Sequence, residues 1–171
     1  MKAPTLAYVV DANVLIQAQK GYYGFSICPG FWECLLRQHQ DGRVISIDKV
    51  RDEIEDGSEL DQWVKNSVPG TFFVSTQDQA IVTAYGNLVQ WVQAQSQFTA
   101  AAKAEFSQVA DGWLIACTMC RKDHLVVTHE QFNPDIKRKV PIPNVCRQFG
   151  VPYLDTFEML KDLGVRLVLA D

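Results

Sequence analysis

The sequence predicts an α/β fold: a three-layer α/β/α sandwich around a central parallel sheet of four to five strands, in a single domain over residues 1–171. Three observations predict it. Short apolar runs alternate with longer stretches of helical periodicity along the chain, the pattern of strand–helix crossover units. The runs are nearly continuous in their apolar character, as in "LAYVV" (6–10) and "HLVVT" (124–128), which suits strands covered on both faces. With 171 residues, 47% hydrophobic and 21% charged, the chain is long enough to bury a full core without staples.

Taken in order, residues 6–10 read as the first strand. "PGFWECLLRQHQDG" (29–42) is helical, with Phe31, Trp32, Leu35 and Leu36 apolar, Pro29 near its start and Gly42 at its end. "RVISI" (43–47) is the second strand, and Asp48 is placed to cap a helix over "KVRDEIEDG" that Gly57 stops. Ser58 caps a further short helix, "SELDQWVKNS". A short strand over 72–74 leads into 77–106, helical in pattern and rich in Ala and Gln. "DGWLIACTMC" (111–120) is apolar nearly all round and reads as a buried helix. The buried third strand, 124–128, is followed by a polar, Pro-containing loop over 129–143. "VPYL" (151–154) is the fourth strand, "TFEMLKDLG" a helix, and "VRLVL" an added edge strand. No repeat, linker or low-complexity segment divides the domain.

A net charge of −4 argues against a broad nucleic-acid-binding surface, less strongly if acids gather around a cation. The run before Asp11 is too short for a secretory leader and no later stretch approaches a membrane span. A soluble, cytoplasmic chain with no membrane partner is expected. Five cysteines, an odd number, point to free thiols. Cys117 and Cys120 form a C-x-x-C with His124 close behind, but their apolar helical setting favours buried small hydrophobes over a zinc site.

In a parallel sheet, strand ends and helix starts share one edge, where ligand sites form. Asp11 follows the first strand, Glu53 lies in the helix after the second, Asp111 starts the buried helix, and Glu130 follows the third strand. Each has an ordinary alternative: a turn residue, solvated surface, a helix cap, a loop start. Together they map to one edge. Gathered carboxylates repel and raise one another's pKa values, and hard oxygen ligands without a His/Cys set suit Mg²⁺ or Mn²⁺, one ion or two.

At these residues the chain resembles the PIN-domain ribonucleases. "YVVDANVLI", "DKVRDEI", "DGWLIACTM" and "LVVTHEQF" carry the four acids in order, and "GVPYLDTFEMLKDLGV" is similar to the family's closing strand and helix. Within that family it looks closest to a branch of bacterial and archaeal PIN-like proteins akin to toxin–antitoxin nucleases. The resemblance implies a metal-dependent endoribonuclease, with Asp11, Glu53, Asp111 and Glu130 as ligands and Asn13 and Thr128 as supporting residues. It also implies an RNA substrate, an antitoxin protein as partner, and a homodimer. The family commonly carries Asp where this chain has Glu130.

Lys137, Arg138 and Lys139 form a basic run in the following loop where a phosphate backbone would lie; a solvated loop is the ordinary alternative. His129 has the same two readings. "GYYGF" offers aromatics for stacking or docking, or for plain packing. Two other functions stay open. One is a PIN-like binding module with a weak or inactive site. The other is a haloacid-dehalogenase-like phosphatase, which needs a second acid where Asn13 stands.

Overall fold

The computed structural model describes residues 5–170. Residues 1–4, which enter the reading against a secretory leader, and residue 171 lie outside it. Among the described residues five strands form one sheet, all neighbours parallel: β1 (Ala7–Val10), β2 (Val44–Ile47), β3 (Phe73–Val74), β4 (His124–Val127) and β5 (Tyr153–Leu154), in the order β3-β2-β1-β4-β5. β1 lies at the centre and all four of its residues are buried.

The connections β1→β2 and β2→β3 run one way across the sheet, and β3→β4 and β4→β5 run the other. Right-handed crossovers then put their helices on opposite faces, giving the three layers. The first layer holds α1 (Ala12–Lys20), α2 (Pro29–Gln40), α3 (Asp48–Glu53) and α4 (Glu59–Ser67); α2 packs on β2, and α1 on α4. The second holds α5 (Gln79–Ala94), α6 (Ala100–Phe106), α7 (Asp111–Met119) and α8 (Ile142–Phe149), with α7 packed against α5 and α8 and on β4. After β5, a capping box at Asp155 starts α9 (Thr156–Asp162).

Several expectations change. α1 begins immediately after Asp11, where the sequence shows only a resumed apolar run. α8 occupies what reads as the end of a proline-containing loop; Pro141 stands at its N-cap and Pro143 in its first turn, where no amide hydrogen is needed. Residues 77–106 are two helices rather than one. Asp48 is the first residue of α3 and not its cap: its carboxylate accepts from Lys49 N (2.8 Å) and from Thr76 N and Oγ1 (3.1 and 2.8 Å), tying α3 to the segment after β3. That helix ends at Glu53, before the turn in which Gly57 takes φ +78°. Ser58 caps α4 as expected. Residues 165–169 form no strand, so the expected edge strand is absent there, and Val168 and Leu169 stand exposed.

All five cysteines are free, Cys117 buried but Cys120 exposed, so only the first behaves as a core residue. Tyr23 stacks on Phe31 and Phe25 on Trp32, leaving Tyr22 exposed. No helix among the described residues is long and apolar enough to cross a membrane.

α7 is held close to its neighbours by Gly112, directly after Asp111. A Cβ there would lie 2.9 Å from Tyr85 Cε2 and 3.1 Å from Phe106 Cε1. We expect Gly112→Ala to lower the urea midpoint, because forcing atoms into a packed site costs about 1–3 kcal/mol. The gain in helix propensity is at most about 1 kcal/mol.

Candidate functional site

The four acids meet at the carboxyl edge of the sheet. On either side of β1 the chain departs in opposite directions, to β2 and to β4, a reversal at which parallel α/β sheets form their ligand crevices. Asp11 is the residue after β1, and its backbone N–H continues the ladder to Val127 O (3.1 Å). Thr128 extends the same edge from β4. Its hydroxyl donates to Asp11 Oδ2 (3.2 Å) and accepts from Glu130 N (3.2 Å), so one side chain orients two of the acids.

Asp11 is 1% exposed and occupies the N-cap position of α1, yet its carboxylate makes no capping bond. Its second oxygen, Oδ1, is buried with no hydrogen-bond partner among the described residues. A bare carboxylate oxygen in a core is costly. Burial pushes the Asp11 pKa up to about 6, helped by the charges of Glu130 and Glu53 and opposed by the Thr128 hydroxyl and by the Asn13 backbone N–H, which lies nearby without reaching hydrogen-bond geometry.

Asp111, 8% exposed, is the first residue of α7 rather than its cap. Burial pushes its pKa to about 8, with Asp11, Glu130 and Glu53 adding repulsion and Lys139 relieving part of it. Glu53 is exposed at the end of α3, and its Oε1 accepts from Ala110 N (2.7 Å) at the start of α7. That bond brings α3 and α7 together and sets an anion at a helix N-terminus, the favourable end of the dipole. Asp11 and Asp111 each lie in the field of Glu53 and Glu130, and Asp111 also in that of Asp11.

Glu130 is held in a way the sequence does not suggest. One oxygen, Oε1, pairs with the Lys139 ammonium; the other accepts from Ile142 N (2.8 Å), the first amide of α8. Lys139 therefore belongs to the acid cluster and is not simply the last member of a basic run. Burial works to lower its pKa, but the bond to Glu130 and the charges of Glu130, Asp111 and Asp11 raise it overall. Lys137 and Arg138 are exposed on the loop. Asn13 is exposed and lines, with Glu53, Phe106, Asp111, Lys139 and Val140, a cavity of about 390 Å³. His129 is turned to Thr156 Oγ1 (3.0 Å). A larger hollow, about 450 Å³, opens at the opposite edge beside Leu6, Asp123, His124 and Pro152, away from the acids.

The donor set, carboxylate oxygens with one buried oxygen unpartnered, fits a hard divalent cation. The arrangement is open, however. Among the described residues no three His, Cys, Asp or Glu side chains stand close enough to close around an ion, and Glu130 is occupied by Lys139 and α8.

A family model described as "Domain of unknown function (DUF4411)" matches residues 8–167. The chain belongs to the DUF4411 family. No curated protein and no solved structure matches it. The DUF4411 match spans all four acids, Thr128 and the Lys139 loop, so the whole candidate site lies inside the family's domain.

Proposed function

We propose that this chain is a divalent-metal-dependent endoribonuclease of PIN type, the toxin of a toxin–antitoxin pair. The observation that carries the reading is the convergence of Asp11, Glu53, Asp111 and Glu130 at the carboxyl edge, with Asp11 Oδ1 buried and unpartnered. Asp11, Glu53 and Asp111, joined by Glu130, would hold Mg²⁺ or Mn²⁺. A bound cation of this kind supplies Lewis acidity and positive charge at a phosphodiester. Around it, Thr128 fixes the Asp11 carboxylate and the Glu53–Ala110 bond fixes the start of α7. Lys137 and Arg138, exposed on the loop that follows Glu130, would meet the RNA backbone. In the reaction a water oxygen bonds to phosphorus as one ester P–O bond breaks, and the leaving oxygen takes a proton. Dimerisation and an antitoxin partner go with this reading, and Tyr22, Ile27, Val168 and Leu169 are exposed apolar side chains for such contacts.

The test is incubation of the purified protein with RNA in Mn²⁺ or Mg²⁺. Cleavage is expected, with loss on adding a chelator and recovery on restoring the ion. Chelator-resistant cleavage would refute the metal dependence. A second reading, a PIN-like module that binds a partner without cleaving, draws on the engagement of Glu130 by Lys139. It predicts no cleavage and no rise in melting temperature with Mn²⁺.

A further inference from the structure

We propose that Lys139 is a built-in counter-cation of the acid site, competing with a divalent ion for Glu130 and thereby setting how tightly that ion is held. The inference rests on the metal-site reading above and goes beyond it by assigning a role to a residue that is not a ligand.

Three observations carry it. First, the ammonium contacts Glu130 Oε1 directly, while Ile142 N takes the other oxygen. Each oxygen keeps a second lone pair, but an ion reaching Oε1 meets the ammonium's positive charge beside it, so the two cations compete for Glu130. Of the two partners of Glu130, the backbone amide is fixed in α8, whereas the Lys139 side chain is 45% exposed at the end of a flexible stem and free to swing out.

Second, the loop that delivers Lys139 is braced. Gln97 Nε2 donates to Pro134 O (2.7 Å) and Ile136 O (2.8 Å), and Thr99 N donates to Lys137 O (2.9 Å). Asn144 and Asn133 exchange two bonds, of 2.7 and 3.1 Å, across the loop's base. Such bracing fixes the loop backbone, while the hydrogen bond that holds the Lys139 ammonium among the described residues is the one to Glu130.

Third, this is no ordinary surface pair, which would be worth little. The Glu130 side chain is only 13% exposed, and the ammonium lies in the field of Asp111 and Asp11 as well. It offsets one unit of the negative charge that a divalent ion would otherwise meet alone. Asp11 Oδ1, unpartnered and buried, is left for the ion.

The exchange couples two events through one side chain. When an ion takes Glu130, the ammonium is released to solvent, where it is free to meet a phosphate backbone. Where the ion is absent, Lys139 offsets part of the cluster's negative charge.

Calorimetric titration of the full chain with MnCl₂, at constant pH and ionic strength, tests the competition. Lys139→Met is expected to bind Mn²⁺ at least ~10-fold more tightly than the unmodified protein, the scale of a small charge–charge coupling. Lys139→Arg, which retains a cation, is expected to stay within about threefold of the unmodified protein. Binding detected only in Lys139→Met is the same result at its limit. Equal or weaker binding by Lys139→Met overturns the competition but leaves the metal site standing, and so does tightening by Lys139→Arg to the same degree as by Met. No binding by any of the three overturns the metal site and the competition together. Circular dichroism of each variant confirms that the fold is retained.

Discussion

On the proposed function, Asp11→Asn is expected to abolish RNA cleavage and the gain in melting temperature with Mn²⁺, and to be more stable than the parent when metal-free at pH 8. The opposed signs come from one cause. Asp11 is buried beside Glu130 and Glu53, and its Oδ1 lacks a partner. An ionised carboxylate there is unfavourable in the empty protein, and the same poor solvation makes it an avid ligand. Asparagine is nearly isosteric, keeps an oxygen to accept from Thr128, and turns an N–H₂ toward the neighbouring acids. It removes the penalty and the ligand together. Activity is expected to fall by at least ~10³, in line with the several kcal/mol assigned to metal-borne charge stabilisation. Cleavage assays and melting curves with and without Mn²⁺ read both arms. A variant that still cleaves, or one less stable than the parent, would refute the account. Gains in stability on removing a functional group are the usual sign of a site held in strain.

The metal-free protein is expected to lose stability as pH rises from about 4 to about 8, and Mn²⁺ to reverse the loss. Asp11 and Asp111 have ordinary carboxyl pKa values near 3.8 in the unfolded chain but titrate at about 6 and about 8 when folded. Through that interval the folded state binds more protons than the unfolded one, so unfolding becomes easier as pH climbs. Their contribution is whole below pH 3.8 and disappears as pH passes through the two folded values. At about 1.4 kcal/mol per pH unit, Asp11 alone removes roughly 3 kcal/mol by pH 8. For a chain of this size that is a fall of roughly 6–12 °C in melting temperature. Lys139 stays charged throughout and limits the loss, since its pKa is raised. Urea titrations at stepped pH, repeated with Mn²⁺, provide the measurement. A stability that rises across this range without metal would contradict the placement of these two carboxyls.

The acids were legible because their edge follows from topology alone. Once strands and helices alternate, residues at strand ends and helix starts must share a rim, whatever the side chains do. α1 was not legible. Val14, Leu15 and Ala18 are buried and Ile16 packs against the same core, so little polar face remains to reveal a helical period. α8 was hidden by prolines at 141 and 143, which read as loop although the first turn of a helix tolerates them. The break at 95–99 is set by tertiary contacts: Gln97 binds the 134–136 carbonyls and Phe98 enters the core. Lys139 carried its residue type but not its direction. In a run of three cations nothing along the chain marks the one whose ammonium turns inward to Glu130.

The pairing of β1 with β4 has a consequence for synthesis. The hydrogen bond from Thr128 to Asp11 spans 117 residues, and Lys139 and the first amide of α8 follow later still. A growing polypeptide therefore cannot assemble this pocket until most of it has left the ribosome's exit tunnel. The acid cluster is therefore completed only when the segment from Thr128 to Ile142 docks against β1 and α7, a late, long-range step of folding.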